Sequence, residues 1–352
     1  MSLTLNDLFT YTKEKKASDL HIIPGYAPTI RVHDVLLPVA GTVPLEGPAI
    51  KELLKSILSP QLKDEYEHNR EVDFGFEWED IRFRVNYYYV RGNQAAAFRL
   101  IPKKIPTVEE LNLPSTFHKY SKLNDGLVLL TGPTGEGKST TIAAILNEVN
   151  LNQQRHIITV EDPIEFVYPT GKSIISQREL HSDTFSFNKA LRSVLREDPD
   201  IVLIGEMRDQ ETIQAALTIA ETGHLVFSSL HTSSTPEAIN RMVDVFPGDQ
   251  QSQIRSQLAS VLKSVVYQRL LPNIQKNGRV PCLEILFNTP AVSALIREDK
   301  AFMIDNVLET GEEQEMILFE KYLSRLYKQN AISRETAYSY ALRTKEIEKF
   351  IE

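Results

Sequence analysis

Cysteine is nearly absent from this chain of 352 residues, in which Cys282 stands alone. A single cysteine excludes an internal disulfide and a zinc site built from several cysteines, so a reducing compartment is the simplest setting. The sequence also lacks a run of about 18 apolar residues and the basic, then apolar, start of a signal peptide. We therefore expect a cytoplasmic protein that works at a membrane only if a partner recruits it.

Positive charge is in short supply as well. The chain has 39 lysines and arginines against 47 acidic residues, which gives a net charge of −8. This balance excludes bulk electrostatic attraction to nucleic acid or to an anionic lipid surface, so we expect no stable nucleic-acid binding. The hydrophobic fraction of 42% is ordinary for a globular protein, and the length predicts two domains.

The first domain is predicted over residues 1–100, as an α/β domain with an antiparallel sheet. Helical patterns and strand patterns both occur there, the helices at 3–16, 47–58 and 60–68, and the strands at 19–23, 29–32, 72–78, 81–90 and 94–101. Residues 101–114 carry Pro102, Pro106 and Pro114. They are predicted to form an extended, semi-rigid linker.

The second domain is predicted over residues 115–352, where strand and helix patterns alternate. Such alternation is typical of a mostly parallel sheet with helices on both faces, so the fold class is α/β. The predicted strands are 126–131, 156–160, 200–204, 224–229 and 279–287. Helices are predicted at 235–245 and 249–267, and the residues after 287 are predicted to be helical.

One segment of this domain carries the strongest chemical signal, Gly-Pro-Thr-Gly-Glu-Gly-Lys-Ser at 132–139. It lies between a buried strand and an amphipathic helix, and it fits the glycine, lysine and serine spacing of a phosphate-binding loop. The backbone N–H groups of such a loop point at a nucleotide phosphate chain, and the helix N-terminus adds partial positive charge. We predict ATP or GTP binding with Mg²⁺, with Lys138 on the phosphates and Ser139 on the metal. The predicted nucleotide contacts are Gly132, Thr134, Gly135, Gly137, Lys138, Ser139 and Thr140.

Two carboxylates follow other predicted strands and suit the chemistry of such a loop. Glu206 follows the run Ile-Val-Leu-Ile-Gly at 201–205, and Glu161 follows Ile-Ile-Thr-Val at 157–160. Ligands gather at the carboxyl ends of strands in open α/β sheets, where one acid can hold the Mg²⁺ shell and another can orient the attacking water. Each acid alone can instead be a helix cap, and the sequence leaves the division of roles open.

Two histidines bracket the last core strand, His224 and His231. Their odd separation points them to opposite faces of a regular strand, which argues against a shared metal. Either can be a hydrogen-bonded structural histidine. His231, at the carboxyl end of the strand, is also placed to sense a γ-phosphate.

These segments together resemble the signature of the type II and type IV secretion ATPase superfamily. Residues 159–165 resemble its aspartate box, 196–209 its Walker B motif and 222–232 its histidine box. In the first domain, 18–21 (Ser-Asp-Leu-His) and 82–86 (Arg-Phe-Arg-Val-Asn) are similar to family segments. Within the superfamily, the chain resembles the PilT family of type IV pilus retraction ATPases, which serve twitching motility.

The resemblance to the PilT family rests on 243–247, 268–272, the helix at 291–300 and the lack of a four-cysteine zinc motif. It implies a homohexamer whose subunits pair a PAS-like N-terminal domain with a RecA-like ATPase domain. It also implies peripheral attachment at the inner face of the cytoplasmic membrane, through an inner-membrane platform protein of the pilus base.

The resemblance further implies a catalytic set. Arginines of the N-terminal domain reach the phosphates in the family, and the positional matches here are Arg84 and Arg99, with Arg82 close behind. Guanidinium groups stabilise the charge that spreads over the γ-phosphate oxygens in the transition state. By the same carry-over, Glu161 positions or activates the water and Glu206 holds the Mg²⁺ shell.

The chain departs from the family pattern at two places. Glu136 stands where the loop usually has serine. In water, a carboxylate about 8 Å from the phosphates repels them by about 0.5 kcal/mol per unit charge. If the Glu136 side chain faces solvent, we therefore expect only a modest effect on nucleotide affinity. The helix at 291–298 reads Ala-Val-Ser-Ala-Leu-Ile-Arg-Glu, without one basic and one amide side chain typical of retraction motors.

We therefore predict a Mg²⁺-dependent hexameric ATPase that converts hydrolysis into domain motion about the linker at 101–114 and drives pilus retraction. One alternative is a motor for pilus assembly, secretion or DNA uptake, which usually carries a zinc motif. A second is a nucleic-acid motor, which the net charge of −8 disfavours. A third is a regulatory nucleotide-binding module with weak turnover, which the intact Lys138, Ser139, Glu161 and Glu206 disfavour.

Overall fold

A computed structural model describes residues 3–33, 35–79 and 81–351. The chain divides into two compact units. The first unit runs to Lys104 and also contains two later segments, 162–167 and 178–186, while the rest of the chain forms the second unit. The proline-rich segment belongs to the second unit from Ile105 onward, where Val108 and Leu113 are buried. The chain therefore passes between the units more than once.

The first unit contains the elements α1 (Leu5–Glu14), β1 (Asp19–Ile22), β2 (Thr29–Val32), β3 (Val35–Pro38), α2 (Gly47–Leu54), α3 (Pro60–Asn69), β4 (Glu71–Trp78), β5 (Ile81–Val90) and β6 (Asn93–Ile101). The strands form one antiparallel sheet in the order β3-β2-β1-β6-β5-β4. The predicted antiparallel sheet is confirmed. The sequence missed only β3, since an edge strand exposed on both faces shows no alternation of apolar and polar residues.

The alternation along β5 decides which face of this sheet is buried. Phe83 and Tyr87 lie on the buried face, whereas Arg82 and Arg84 lie on the opposite face. Phe9 of α1 stacks on Phe83 with ring centroids 4.8 Å apart, so the helix covers the aromatic face. The other face is left for polar contacts of the arginines.

The second unit contains a 3₁₀ helix at Ser115–Lys122, then β7 (Gly126–Thr131), α4 (Lys138–Asn152), β8 (His156–Glu161), β9 (Ile174–Glu179), α5 (Phe187–Val194), β10 (Ile201–Ile204), α6 (Gln210–Glu221), β11 (Leu225–Leu230), α7 (Thr235–Asp244), α8 (Gly248–Val261), β12 (Leu262–Pro272), β13 (Arg279–Phe287), α9 (Pro290–Arg297), α10 (Ile304–Thr310), α11 (Phe319–Lys328), α12 (Arg334–Tyr340) and α13 (Thr344–Ile351). Its sheet has the order β13-β12-β7-β11-β10-β8-β9, and the last two residues of β9, Arg178 and Glu179, belong to the first unit. The pairs from β12 to β8 are parallel and β13 is antiparallel, so the predicted mostly parallel sheet is confirmed. Within the described ranges, no helix combines the length and apolar character that crossing a bilayer requires.

The predicted helix at 249–267 is wrong in its last part. Helix α8 ends at Val261, and the next residue begins β12. Val265, Val266 and Tyr267 are β-branched or aromatic and are buried, which suits a strand. A strand buried on both faces has no period of its own, so sequence pattern alone does not separate it from a helix. Strand β9 was missed because its residues are mostly polar and only partly buried.

The parallel strands bring the predicted site residues to one edge of the sheet. Strands β7, β8, β10 and β11 all end there. The loop at 132–139 follows β7, Glu161 ends β8, Glu206 follows β10 and His231 follows β11. This arrangement is the one that open α/β sheets use to gather a ligand.

A buried ionic cluster joins the C-terminal helices to the sheet. Arg343 donates to Glu284 of β13 at 3.1 Å and to Glu320 of α11 at 3.0 Å. It also donates to Asp305 of α10 at 2.5 Å. Both glutamates are fully buried, and burial raises the pKa of the Glu320 carboxyl. One arginine thus holds carboxylates whose charge the protein interior disfavours.

Replacing Arg343 with methionine is expected to lower the free energy of unfolding by about 3–5 kcal/mol at pH 7.5, because buried carboxylates lose their partner. The loss should shrink toward pH 5. At the lower pH the buried carboxyls bind protons and no longer carry the charge that Arg343 balances. A carboxyl whose pKa is raised by folding binds its proton more tightly in the folded state, so protonation stabilises the folded protein at low pH, and this stabilisation is lost as the pH rises through the folded-state pKa. Urea unfolding at the two pH values measures both effects.

The matched control for this prediction is Arg325→Met. Arg325 meets Glu312 at 3.4 Å on the protein surface, with its side chain 56% exposed. Its loss should cost less than about 1 kcal/mol, as is usual for surface ion pairs. Similar losses in the two variants, or a loss at Arg343 that does not depend on pH, would contradict the interpretation of the buried cluster.

Candidate nucleotide site

The segment 132–139 forms a tight loop between β7 and α4. Gly132, Gly135 and Gly137 have φ angles of 144°, 80° and 79°, in the region that favours glycine. A Cβ atom at position 132 would lie 2.3 Å from the carbonyl oxygen of Gln268 in β12, so the strand leaves no room for a side chain. The glycines therefore allow both the turn of the loop and its close approach to β12.

Lys138 is the first residue of α4 and is folded back onto the loop. Its side chain is buried, and Nζ donates to the carbonyl oxygens of Gly132 at 2.7 Å and Pro133 at 2.9 Å. Buried charges require such polar partners. Ser139 and Thr140 follow in the first turn of the helix and are partly exposed, and Thr134 is exposed.

A line of polar contacts leads from Lys138 to the end of a neighbouring strand. Nζ of Lys138 lies 3.4 Å from Nδ1 of His231, and Nε2 of His231 lies 3.1 Å from Oε2 of Glu206. An ammonium can only donate, so Nδ1 accepts and Nε2 carries the proton that reaches Glu206. Glu206 also forms an ion pair with Arg208. The structure thus brings together three of the predicted site residues from three segments.

Glu161 stands at the end of β8 and is 8% exposed. Its Oε1 accepts from Thr159 Oγ1 at 2.6 Å and from Gln177 Nε2 at 3.4 Å. Gly205, directly before Glu206, packs against the backbone of Glu161, where an added Cβ would lie 3.4 Å from the Cα atom. The two predicted acids therefore lie on adjacent strand ends, and the carboxylate of Glu161 is held in a fixed orientation.

The predicted arginines belong to the first unit, and each has an acidic partner there. Arg84 and Arg99 are directly opposite each other on β5 and β6. Arg84 donates to Asp73 at 2.6 Å, and Arg99 donates to Asp19 at 2.9 Å. Arg99 keeps a side chain that is 72% exposed. These two arginines therefore lie side by side on the polar face of the sheet, each paired with an aspartate.

Arg82 has a different partner, the buried Glu179, which sequence reasoning missed. Glu179 is 1% exposed and forms an ion pair with Arg82. It also accepts from the backbone N–H groups of Gly75 at 3.0 Å and Ile164 at 3.1 Å. One carboxylate thus ties the segments 162–167 and 178–186 to the sheet of the first unit. No local pattern could have found it, because its partners are scattered along the sequence.

Glu136 does not face solvent, so the condition under which a modest effect on affinity was expected is not met. Its side chain is 14% exposed and accepts from Nε of Arg269 at 3.0 Å. The N–H of Leu270 donates to the same carboxylate at 2.5 Å. The negative charge of Glu136 is therefore balanced by an arginine of β12 and not by solvent.

The other departure, in α9, is accommodated locally. Ser293 donates to the carbonyl oxygen of Ala259 at 3.0 Å and to Asn288 at 2.9 Å, while Val292 and Ile296 are buried. His224 stands at the other end of β11 from His231, near the Ile219 carbonyl at 3.1 Å. No group of histidine, cysteine and acidic side chains suited to a metal occurs in the described part of the chain.

A lysine buried under a glycine loop, at the edge where parallel strands end, is a geometry shared by P-loop nucleotide hydrolases, and the present chain is one of them. The profile of the type II/IV secretion system protein family matches residues 3–349. The chain belongs to that family. It is a nucleotide-binding ATPase, as its motifs predicted.

Relatives of known name agree with this assignment. The type IV pilus retraction ATPase PilT of Pseudomonas aeruginosa is 45% identical over 336 residues, which cover 95% of this chain and 97% of PilT. The twitching motility protein of Neisseria gonorrhoeae is 46% identical over 311 residues, covering 88% and 83% of the two chains. The crystal structure of the pilus retraction motor PilT with bound ADP matches with a TM-score of 0.91 at 40% identity, over 99% of each chain. The predicted family and fold class are confirmed.

Replacing Glu179 with alanine is expected to destabilise the first unit by about 3–5 kcal/mol, since Arg82 and two backbone N–H groups lose a buried acceptor. The segments 162–167 and 178–186 should also become sensitive to limited proteolysis at low temperature. Thermal unfolding and mapping of the cleavage sites measure the two effects.

Glu65→Ala is the matched control, because Glu65 contacts the same region through a partly exposed polar contact with Nδ1 of His181 at 3.2 Å. This variant should lose less than about 1 kcal/mol and keep the resistance of the wild type to cleavage. A Glu179→Ala protein with an unchanged melting temperature would show that the carboxylate is not an anchor.

Proposed function

We propose that the chain is a Mg²⁺-dependent motor ATPase that drives the retraction of type IV pili, and that it works as a homohexamer. Similarity to PilT of Pseudomonas aeruginosa supports this proposal, because it extends over nearly the whole of both chains. A motor of this kind works at the inner face of the cytoplasmic membrane. Its expected contact there is an inner-membrane platform protein of the pilus base.

The line of contacts from Lys138 through His231 to Glu206 is the observation that carries the enzymatic part of the proposal. We assign Lys138 to the β- and γ-phosphates. The hydroxyl of Ser139 and the carboxylate of Glu206 are oxygen donors of the kind that Mg²⁺ prefers, and both belong to this edge of the sheet. When bound, the ion neutralises charge on the β- and γ-phosphates.

We assign Glu161 to the attacking water. The hydrogen bonds from Thr159 and Gln177 fix its carboxylate, as a positioned general base requires. Glu206 is instead paired with Arg208 and His231, which suits a residue that holds charge in place. The two acids therefore receive different roles because their partners differ.

Arg84 and Arg99 are assigned to the developing charge on the γ-phosphate. Phosphate oxygens compete well with carboxylates for guanidinium groups, so the contacts to Asp73 and Asp19 can be exchanged for contacts to nucleotide. Arg82 is assigned a structural role, because its partner Glu179 is buried and has no solvent to replace the lost ion pair.

The chain connectivity supports coupling between hydrolysis and domain motion. Glu161 belongs to the second unit, and Asp162, the next residue, belongs to the first. Movement of the first unit therefore acts on the proposed base through a single peptide bond. The linker predicted at 101–114 is shorter in the structure, since the chain enters the second unit at Ile105, and it is one of several connections between the units.

Two variants test the proposed enzyme, Glu206→Ala and Arg84→Ala. Each should lower steady-state ATP hydrolysis of the sized hexamer by at least about 100-fold while ADP binding changes by less than about threefold, because both residues serve the transition state. Arg91→Asn is the matched control, since Arg91 is an exposed arginine at the β5–β6 turn with a φ of 50° that asparagine tolerates. It should keep full activity.

The outcome for the wild type separates the alternatives. ATP binding without turnover would favour the regulatory module, and strong stimulation by DNA would favour a nucleic-acid motor.

In cells, Lys138→Ala should leave more surface pili than the wild type and abolish twitching, because fibres are still assembled but not withdrawn. Fewer pili than in the wild type would assign the motor to assembly instead.

A further inference from the structure

Three consecutive residues of β12 contact Glu136 of the phosphate loop. Gln268 Nε2 donates to the backbone carbonyl oxygen of Glu136 at 2.7 Å. Arg269 Nε donates to Oε1 at 3.0 Å, and the Leu270 N–H donates to Oε2 at 2.5 Å. All three oxygens of Glu136 are thus bound by one strand.

The first of these contacts orients the loop backbone. The C=O and N–H groups of a trans peptide unit point in opposite directions, so holding the Glu136 carbonyl toward β12 turns the Gly137 N–H away from the strand. Gln268 is itself fixed, because it is 2% exposed and its Oε1 accepts from Thr141 of α4 at 2.9 Å. Strand β12 therefore holds one side of the loop through the Glu136 carbonyl, and the Gly137 N–H points to the opposite side.

The second contact, between Arg269 and the Glu136 carboxylate, balances the negative charge of the loop. The Glu136 side chain is 14% exposed, so water screens its charge poorly and an unpaired carboxylate there would repel phosphate. The Arg269 guanidinium pairs with it and also lies over the ring of Tyr340 in α12, 5.1 Å from the ring centroid. Helix α12 thus supports the arginine that supports the loop.

We propose that Arg269 is a positioning residue for nucleotide binding: it neutralises Glu136 and holds the phosphate loop against β12. This role rests on the proposed function of the loop as the nucleotide site. It assigns a purpose to the strand residues 268–270, and it makes the carboxylate at position 136 dependent on the arginine at position 269.

Titration of the full chain with Mg·ADP tests the charge relation. Arg269→Gln should weaken ADP binding by about tenfold, because Glu136 is left unpaired beside the phosphates. Glu136→Gln alone should bind within about twofold of the wild type, and the double variant Glu136→Gln/Arg269→Gln should recover to the same level. Lys276→Gln is the matched control, since it removes one positive charge from the exposed turn after β12.

Kinetics separate positioning from loss of structure. In Arg269→Gln, KM for ATP should rise by about tenfold while kcat at saturating ATP stays within about twofold, because the loop still closes on nucleotide. Arg269→Lys retains the charge and should bind ADP within about threefold of the wild type. If kcat falls in Arg269→Gln and does not recover in the double variant Glu136→Gln/Arg269→Gln, the substitution damages the fold and the proposal is overturned.

The binding outcomes are each decisive. Wild-type affinity in Arg269→Gln, or a double variant as weak as Arg269→Gln, overturns the role of Arg269. If the Arg269→Gln protein does not fold, the double variant and Arg269→Lys decide, and weak binding by both overturns it. A wild-type chain that binds no ADP would instead overturn the proposed nucleotide site, and the role of Arg269 with it.

Discussion

The buried ammonium of Lys138 is the interaction on which the rest of the site depends. A charge in the protein interior must be surrounded by acceptors, and Lys138 finds two of them in carbonyl oxygens of its own loop. Those carbonyls face inward only because glycines permit the turn. His231 and Glu206 continue the polar line from the ends of β11 and β10, so the parallel register of the sheet sets the spacing of the chemistry.

The same chain that builds the site also passes into the first unit. Residues 162–167 and 178–186 leave the second unit immediately after Glu161 and Gln177, which is one of the hydrogen-bond donors of Glu161. Within the first unit, the buried Glu179 holds both segments against the sheet. The proposed base and one of its hydrogen-bond donors thus each directly precede a segment of the first unit.

The sequence predicted what depends on neighbouring residues. The loop at 132–139 and the helix that follows are encoded by glycine spacing and by one adjacent strand, and the faces of β5 follow from simple alternation. It did not predict Glu179 or the partner of Glu136, because these pairs join residues 97 and 133 positions apart. Strand β12 was not predicted for a related reason. Its residues are buried on both faces by elements distant in sequence, so no period distinguishes it from the end of α8.

Glu136 shows how far a charge at one position depends on a distant partner. Treated alone, a carboxylate in a phosphate loop is tolerable only in water, where the dielectric constant is high. Beside Arg269 it is part of a nearly neutral pair and tolerates partial burial, and it adds two hydrogen bonds between the loop and β12. The departure at position 136 therefore cannot be interpreted without position 269. A substitution that looks unfavourable for anion binding becomes a means of holding the anion site in shape, provided that the arginine is present.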